Sequence, residues 1–131
     1  MSSLRPNPGH YVSVADMLEA TGPEGVVRAL AILDGGNAKL GITPQLQQRA
    51  IRLELLRGRT DLAIERLETL KPTLGDSPEW KVEMAELQLQ IGNEAVARQL
   101  LQEATLQLDS LRKTPARRAL RERVVLIGER G

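Results

Sequence analysis

The chain has 131 residues, of which 41% are apolar and 27% are charged, a balance typical of one soluble globular domain. It has no cysteine, which excludes disulfides, thiolate metal sites and cysteine nucleophiles. No apolar run approaches the roughly 20 residues that a membrane-spanning helix needs. With no Phe, one Tyr and one Trp, the core must rest on Leu, Ala, Val and Ile, a set that favours helices over strands.

The net charge of +1 is unevenly distributed along the chain. Residues 1–59 carry seven Lys/Arg and five Asp/Glu, residues 60–110 carry four and ten, and residues 111–131 carry seven and two. Residues 1–13 have no apolar core of the kind that a signal peptide contains. We therefore expect a cytoplasmic protein, and a periplasmic or secreted mature form is the alternative.

The N-terminal third predicts two helices between irregular segments. Residues 1–10 are rich in Pro, Asn, Gly and Ser, which predicts an irregular lead-in. A first helix is predicted to start near Ser13, which opens a capping-box pattern. The sequence Thr-Gly-Pro-Glu at 21–24 ends this helix and starts a second one, whose apolar residues recur at helical spacing up to Leu33. Residues 34–42 contain three glycines and an asparagine and are predicted to form a loop.

The middle of the chain contains a sequence repeat with a period of 34 residues. Each copy opens with a hydroxyl residue followed by proline, Thr43-Pro44 and Ser77-Pro78, a pattern typical of a helix start. Each copy then has a glycine that ends its first helix, Gly58 or Gly92. Thr114-Pro115 repeats the opening a third time. A fixed period of this length indicates a helical repeat architecture.

These elements predict an all-α fold. About three helical hairpins are expected to form a short right-handed solenoid, which a C-terminal helix then caps. The hairpins are predicted at residues 12–34, 43–71 and 77–111, and the capping helix at residues 114–128. Together they are predicted to form one helical repeat domain over residues 11–131.

The repeated segment resembles the tetratricopeptide repeat family over residues 43–109, and more weakly over residues 13–33. Ala63 and Ala97 stand where the family has a small residue at which two helices touch closely. The large aromatic position of the family holds leucine in both copies, and Glu54 replaces its tyrosine in the first copy. The resemblance implies a stack of helical hairpins. It gives little information about function, because the matched positions serve packing.

The resemblance also implies a non-enzymatic scaffold that needs no cofactor and binds a peptide or another protein. Binding in the family uses a concave groove lined by the first helix of each hairpin. The residues that would face this groove are the predicted partner-binding set: Gln45, Gln48, Arg49, Arg52, Glu79, Glu83, Glu86 and Gln90. Glu83 and Glu86 depart from the basic pattern with which some family members clamp a C-terminal carboxylate, so we expect no such clamp. The alternative is that the charged members of the set pair with one another between adjacent helices.

Other chemistry-bearing residues do not converge on a site. His10 is the only histidine and lies in the predicted lead-in, so neither a metal site nor a catalytic site is expected. The glycine-rich residues 35–41 lack the spacing of a phosphate-binding loop, and they follow a helix instead of a strand. Trp80 is expected to pack between two hairpins, and the alternative is that it anchors a partner.

Two other function classes stay open. The first is a structural subunit that forms a homo-oligomer or docks in a larger assembly through its terminal helices. Residues 126–129 echo residues 90–93, which predicts an unfinished repeat with exposed apolar surface. The second is nucleic-acid binding by the seven basic residues of positions 111–131. The lack of interleaved aromatic residues argues against nucleic acid as the partner.

Overall fold

The structure, a computed structural model, describes residues 7–130. Within that range the chain forms eight α-helices and no strand, which confirms the all-α prediction. The helices are α1 (Pro8–Glu19), α2 (Pro23–Leu40), α3 (Pro44–Leu56), α4 (Thr60–Thr69), α5 (Lys71–Leu74), α6 (Pro78–Gln90), α7 (Glu94–Ser110) and α8 (Pro115–Arg130). The chain divides into two compact units between Leu70 and Lys71, so that α1–α4 belong to the first unit and α5–α8 to the second.

Proline occupies the first turn of most of these helices, where its missing N–H costs nothing. The side chains of Ser77 and Thr114 each accept a hydrogen bond from the backbone N–H three residues further on, at 3.2 Å, as predicted for caps. Thr43 differs, because its hydroxyl donates to the carbonyl oxygen of Gly41 at 2.9 Å. The repeated hydroxyl-proline opening therefore marks the helix starts correctly, although the cap at Thr43 is not formed.

Helix α1 begins at Pro8, so the predicted start near Ser13 is wrong. The side chain of Asn7 accepts a hydrogen bond from the N–H of His10 at 3.0 Å and caps the helix. Residues 8–10, predicted to be irregular, are helical for this reason. The rest of the predicted lead-in, residues 1–6, lies outside the described residues.

Helix α2 continues to Leu40, so the loop predicted at residues 34–42 is also wrong. Gly36 lies inside this helix and is buried. A Cβ at this position would lie 2.7 Å from Cδ1 of Leu46 and 2.9 Å from Cγ of Tyr11. The glycine therefore lets α2 approach α1 and α3 closely. Packing of this kind outweighs the low helix propensity of glycine.

The first unit contains two hairpins, α1–α2 and α3–α4, and α3 also packs against both helices of the first hairpin. Its hydrophobic core takes one stripe from each of α1, α2 and α3. The buried core residues are Val12, Ala15, Val26, Ala29, Leu30, Leu33, Leu46, Ala50 and Leu53. Ala63 on α4 is fully buried, as expected of the small position in the repeat.

The second unit contains the hairpin α6–α7, and α8 packs against both of its helices. One core cluster joins Val82 of α6, Ala104 and Leu108 of α7, and Leu120 and Ile127 of α8. The short helix α5 (Lys71–Leu74) begins at residue 71, the predicted end of the second hairpin. Helix α8 takes the place of the predicted capping helix and runs two residues further, to Arg130.

The predicted helix ends at Gly58 and Gly92 are confirmed. Their φ angles are +73° and +85°, the left-handed region that favours glycine and ends a helix. The predicted hairpins correspond to α1–α2, α3–α4 and α6–α7. The assignment of residues 11–131 to one domain stays a prediction.

Candidate partner-binding surfaces

Helix α3 carries a polar stripe that contains half of the predicted partner-binding set. Its members are Gln45, Gln48, Arg49 and Arg52, each of which lies three or four residues from two of the others, so that the set shares one side of the helix. The opposite side of α3 is buried in the core of the first unit. Gln45 and Arg52 are exposed, and Gln48 and Arg49 are partly exposed.

Ion pairs connect the α3 stripe to α1. Nη1 of Arg49 lies 3.4 Å from Oδ1 of Asp16. Arg52 makes a two-pronged contact with Glu19, with Nη2–Oε1 and Nη1–Oε2 distances of 2.6 Å and 3.0 Å. The hydrogen bonds from Arg52 hold the pKa of Glu19 below its ordinary value, against a smaller opposing effect of burial. The carboxylates beside these two arginines thus come from the preceding hairpin.

Helix α6 carries the other half of the predicted set on a narrow polar stripe. Its members are Glu79, Glu83, Glu86 and Gln90. The remaining surface of α6 is largely buried, because Pro78, Trp80, Val82, Met84, Ala85 and Leu87 lie all around it. The polar stripe is therefore the main part of this helix that a ligand can reach.

Two arginines of α8 contact Glu86 in the α6 stripe. Nη2 of Arg123 lies 2.7 Å from Oε1 of Glu86, and Nη1 of Arg130 lies 3.1 Å from Oε2. Burial acts to raise the pKa of Glu86, but the hydrogen bonds and charges of Arg123 and Arg130 together hold it below its ordinary value. Part of the basic C-terminal segment therefore balances negative charge on a helix of its own unit.

The two units share a pattern of charge. In the first unit an acidic row on α1 faces basic residues of α3, and in the second an acidic residue of α6 faces basic residues of α8. Such partly exposed pairs contribute about 0–1 kcal/mol each, so a charged partner can replace one member at little cost. These stripes can therefore exchange internal ion pairs for contacts with a polar ligand.

A buried polar network in the first unit was not predicted from the sequence. Glu54, only 3% exposed, accepts hydrogen bonds from Arg66 at 3.0 Å and from Arg57 at 2.9 Å. Arg66 also binds both carboxylate oxygens of Asp34, at 2.7 Å and 3.0 Å. One guanidinium group thereby connects α2, α3 and α4.

Gln47 and Asn37 extend this network. Gln47 accepts a hydrogen bond from the amide of Asn37 at 3.2 Å and donates one to the hydroxyl of Thr69 at 2.8 Å. Asn37 in turn accepts a hydrogen bond from the backbone N–H of Thr43 at 3.0 Å. Its side chain therefore binds the backbone N–H of Thr43, the residue that precedes α3.

An apolar groove runs between α7 and α8 in the second unit. It encloses about 500 Å³ and is lined mainly by Leu101, Thr105, Leu106, Val124 and Gly128. Leu106 is 70% exposed beside this groove. The groove matches the exposed apolar surface that the sequence predicted near the terminal helix.

Trp80 is 5% exposed, so it is a packing residue in the second unit. The ammonium group of Lys71 lies 5.9 Å from the centre of its ring. Within residues 7–130, no group of three or more His, Asp or Glu side chains could hold a metal ion. In the same range, no helix has both the length and the apolar character needed to cross a membrane.

Comparison with solved structures gives one likeness over nearly the whole chain. The protein is similar to the Yersinia enterocolitica type III secretion translocator chaperone SycD, crystallised as an alternative dimer, with a TM-score of 0.76 and 18% sequence identity. The match covers 99% of this chain and 95% of that chain. It supports the predicted tetratricopeptide-like, all-helical fold. No family model and no curated protein matches the sequence.

Proposed function

We propose that this chain is a non-enzymatic protein-binding module, in which the polar stripe of α3 in the first unit and the polar stripe of α6 in the second unit each contact a peptide or protein partner. In the tetratricopeptide repeat family, the first helices of the hairpins line a concave binding face. The likeness to a secretion chaperone supports a role of this kind, because that protein is named as a chaperone of translocators.

One observation carries the proposal. Helix α6 is buried around most of its circumference, yet Glu79, Glu83, Glu86 and Gln90 remain accessible along one line. This line is the part of α6 that a peptide can contact, because the other faces of the helix are largely buried. The line has the length of three helical turns, which suits an extended peptide of several residues.

The stripes also suggest the chemistry of the partner. The α3 stripe offers amide and guanidinium donors, and the α6 stripe offers three carboxylates and one amide. A polar segment with acidic residues therefore fits the α3 stripe, and a polar segment with basic residues fits the α6 stripe. A basic clamp for a C-terminal carboxylate does not fit the α6 stripe.

This proposal can be tested with a matched pair of charge reversals. Glu79 on α6 and Glu68 on α4 are both exposed glutamates, but only Glu79 belongs to a stripe. We expect Glu79→Lys to weaken binding of the isolated natural partner about tenfold, and Glu68→Lys to leave it unchanged. Equal binding by the two variants, measured by calorimetric titration, would argue against the α6 stripe as a binding surface.

The alternative function is that of a structural subunit that self-associates through its terminal helices. The apolar groove of α7 and α8 favours it, because exposed apolar side chains such as Leu106 could be buried against a second copy. The related chaperone was itself crystallised as a dimer.

Light scattering during size-exclusion chromatography tests the alternative. We expect a dimer at high protein concentration, and we expect Leu106→Lys to convert it to a monomer. Ile42→Lys is the control, because Ile42 is also an exposed apolar residue but lies between α2 and α3. A wild-type protein that is monomeric at every concentration would contradict self-association.

A further inference from the structure

A basic cleft lies in the second unit, where the C-terminal end of α7 meets the start of α8. It has a volume of about 550 Å³. Its lining residues are Leu108, Asp109, Lys113, Arg117, Arg118 and Arg121. None of them belongs to the polar stripes of α3 and α6, so this cleft is independent of the proposed partner-binding function.

The cleft has an excess of positive charge. Four cationic side chains and one carboxylate line it, which leaves three net positive charges. Arg121 pairs with Asp109 at an Nη2–Oδ1 distance of 2.5 Å. Arg117 donates to the carbonyl oxygen of Arg112 at 2.6 Å, which keeps its guanidinium in place without neutralising it.

Lys113 and Arg118 are the two cationic side chains of the cleft that are available to a ligand. Within the described part of the chain, neither of them forms an ion pair with a carboxylate. The cleft also includes the first turn of α8, where the helix dipole adds partial positive charge. Like charges held close together repel one another, and a bound anion removes that repulsion.

We propose that this cleft binds the carboxylate side chains of an acidic peptide segment. Leu108 gives the cleft an apolar part, which suits the mixed surface of a peptide. No aromatic side chain lines it, so it offers no platform for stacking bases. The carboxylate of Asp109 also opposes the continuous negative charge of a nucleic-acid backbone.

Fluorescence anisotropy with a labelled decaglutamate peptide tests this proposal on the full chain. We expect saturable binding at about 10 mM salt and loss of binding at about 1 M salt, where the Debye length falls to about 3 Å. The double variant Lys113→Glu/Arg118→Glu should raise the dissociation constant about tenfold or more. Lys113→Gln/Arg118→Gln, which removes the charges without reversing them, should have a smaller effect of the same sign.

The matched control is Arg28→Glu/Lys39→Glu, which changes the net charge by the same amount at two exposed positions of α2. It should bind decaglutamate as the wild type does. Equal loss in the control and cleft variants would overturn the proposal, as would a wild-type protein that does not bind the peptide. Tighter binding of a labelled ten-residue oligothymidine than of decaglutamate would assign the cleft to nucleic acid and would also overturn it.

Discussion

Arg66 shows how one side chain can hold several elements together. Its guanidinium group binds Glu54 on α3 and Asp34 on α2, and it also donates to Gln47 at 3.0 Å. The two carboxylates differ greatly in exposure, because the side chain of Glu54 is 4% exposed and that of Asp34 is 54% exposed. A buried carboxylate that loses a partner costs much more than an exposed one.

This difference predicts a ranking of two variants. We expect Arg66→Ala to lower the free energy of unfolding by about 2–3 kcal/mol, because it leaves Oε2 of the buried Glu54 without its hydrogen-bond donor. Asp34→Ala should cost less than about 1 kcal/mol. Urea denaturation measures both, and similar losses for the two variants would contradict the central place of Arg66.

Glu86 predicts a dependence of stability on pH. Its pKa is held below the ordinary value because Arg123 and Arg130 outweigh the effect of burial. A carboxylate with a lower pKa in the folded state stabilises the fold above its unfolded pKa, about 4.3 for glutamate, and loses this effect as the pH falls through the folded pKa.

We therefore expect Glu86→Gln to lower the melting temperature at pH 7. The difference from the wild type should shrink as the pH falls below about 4, because the wild-type carboxylate is then protonated as well. Thermal unfolding between about pH 7 and pH 3 provides the measurement. A difference that stays constant over this range would show that the ion pairs of Glu86 do not stabilise the protein.

The sequence did not predict the contacts of Arg66 with Glu54 and Asp34. Glu54 was recognised only as a replacement for the tyrosine of the repeat family, and Arg66 was not singled out. Their interaction spans 12 residues, and that of Arg66 with Asp34 spans 32, so no local pattern signals either contact. The available signal was that Gln47 and Glu54, two polar residues, lie on the side of α3 that should be apolar.

At the scale of the helices, α2 depends on two adjacent glycines that have different surroundings. A Cβ added at Gly36 would meet Leu46 and the ring of Tyr11, whereas a Cβ added at Gly35 would meet nothing within 4 Å. Both positions are helical, so alanine improves the helix propensity of each by up to about 1 kcal/mol.

The two alanine variants should therefore differ in sign. We expect Gly35→Ala to stabilise the protein by up to about 1 kcal/mol, and Gly36→Ala to destabilise it by about 1–2 kcal/mol through overpacking. Denaturation midpoints of the two variants give the comparison. If Gly36→Ala is as stable as Gly35→Ala, the close approach of the helices at this point is not a tight constraint.

Helix boundaries were predictable where the signal is local. The local signals are Ser77-Pro78, Thr114-Pro115, Gly58 and Gly92. Each acts within one helical turn, and the observed helix boundaries agree with them. The start of α1 was missed because Asn7-Pro8 was not recognised as another opening of the same type. The end of α2 was missed because tertiary contacts at Gly36 overrule its intrinsic preference.

At the scale of the whole molecule, the 34-residue period was sufficient to predict an all-helical fold of hairpins. The same weak signals for helix starts, helix ends and packing occur in both copies, so each copy supports the assignment of the other. The repeated positions serve packing. We propose that the binding residues are among those that differ between copies, such as Arg49 and Arg52 against Glu83 and Glu86. A period cannot reveal their ligand, so the partner-binding set stays a prediction.

We propose that the polar stripe of α3 and the polar stripe of α6 each bind a protein partner, and position-specific photo-cross-linking in the native cells tests this proposal. A photoreactive residue is placed at Gln48 or Glu79 in the stripes, and at Glu68 or Arg28 as exposed controls outside them. We expect a discrete cross-linked partner from Gln48 and Glu79 and none from the controls. Cross-links to a partner from the control positions, with none from the stripes, would contradict the claim.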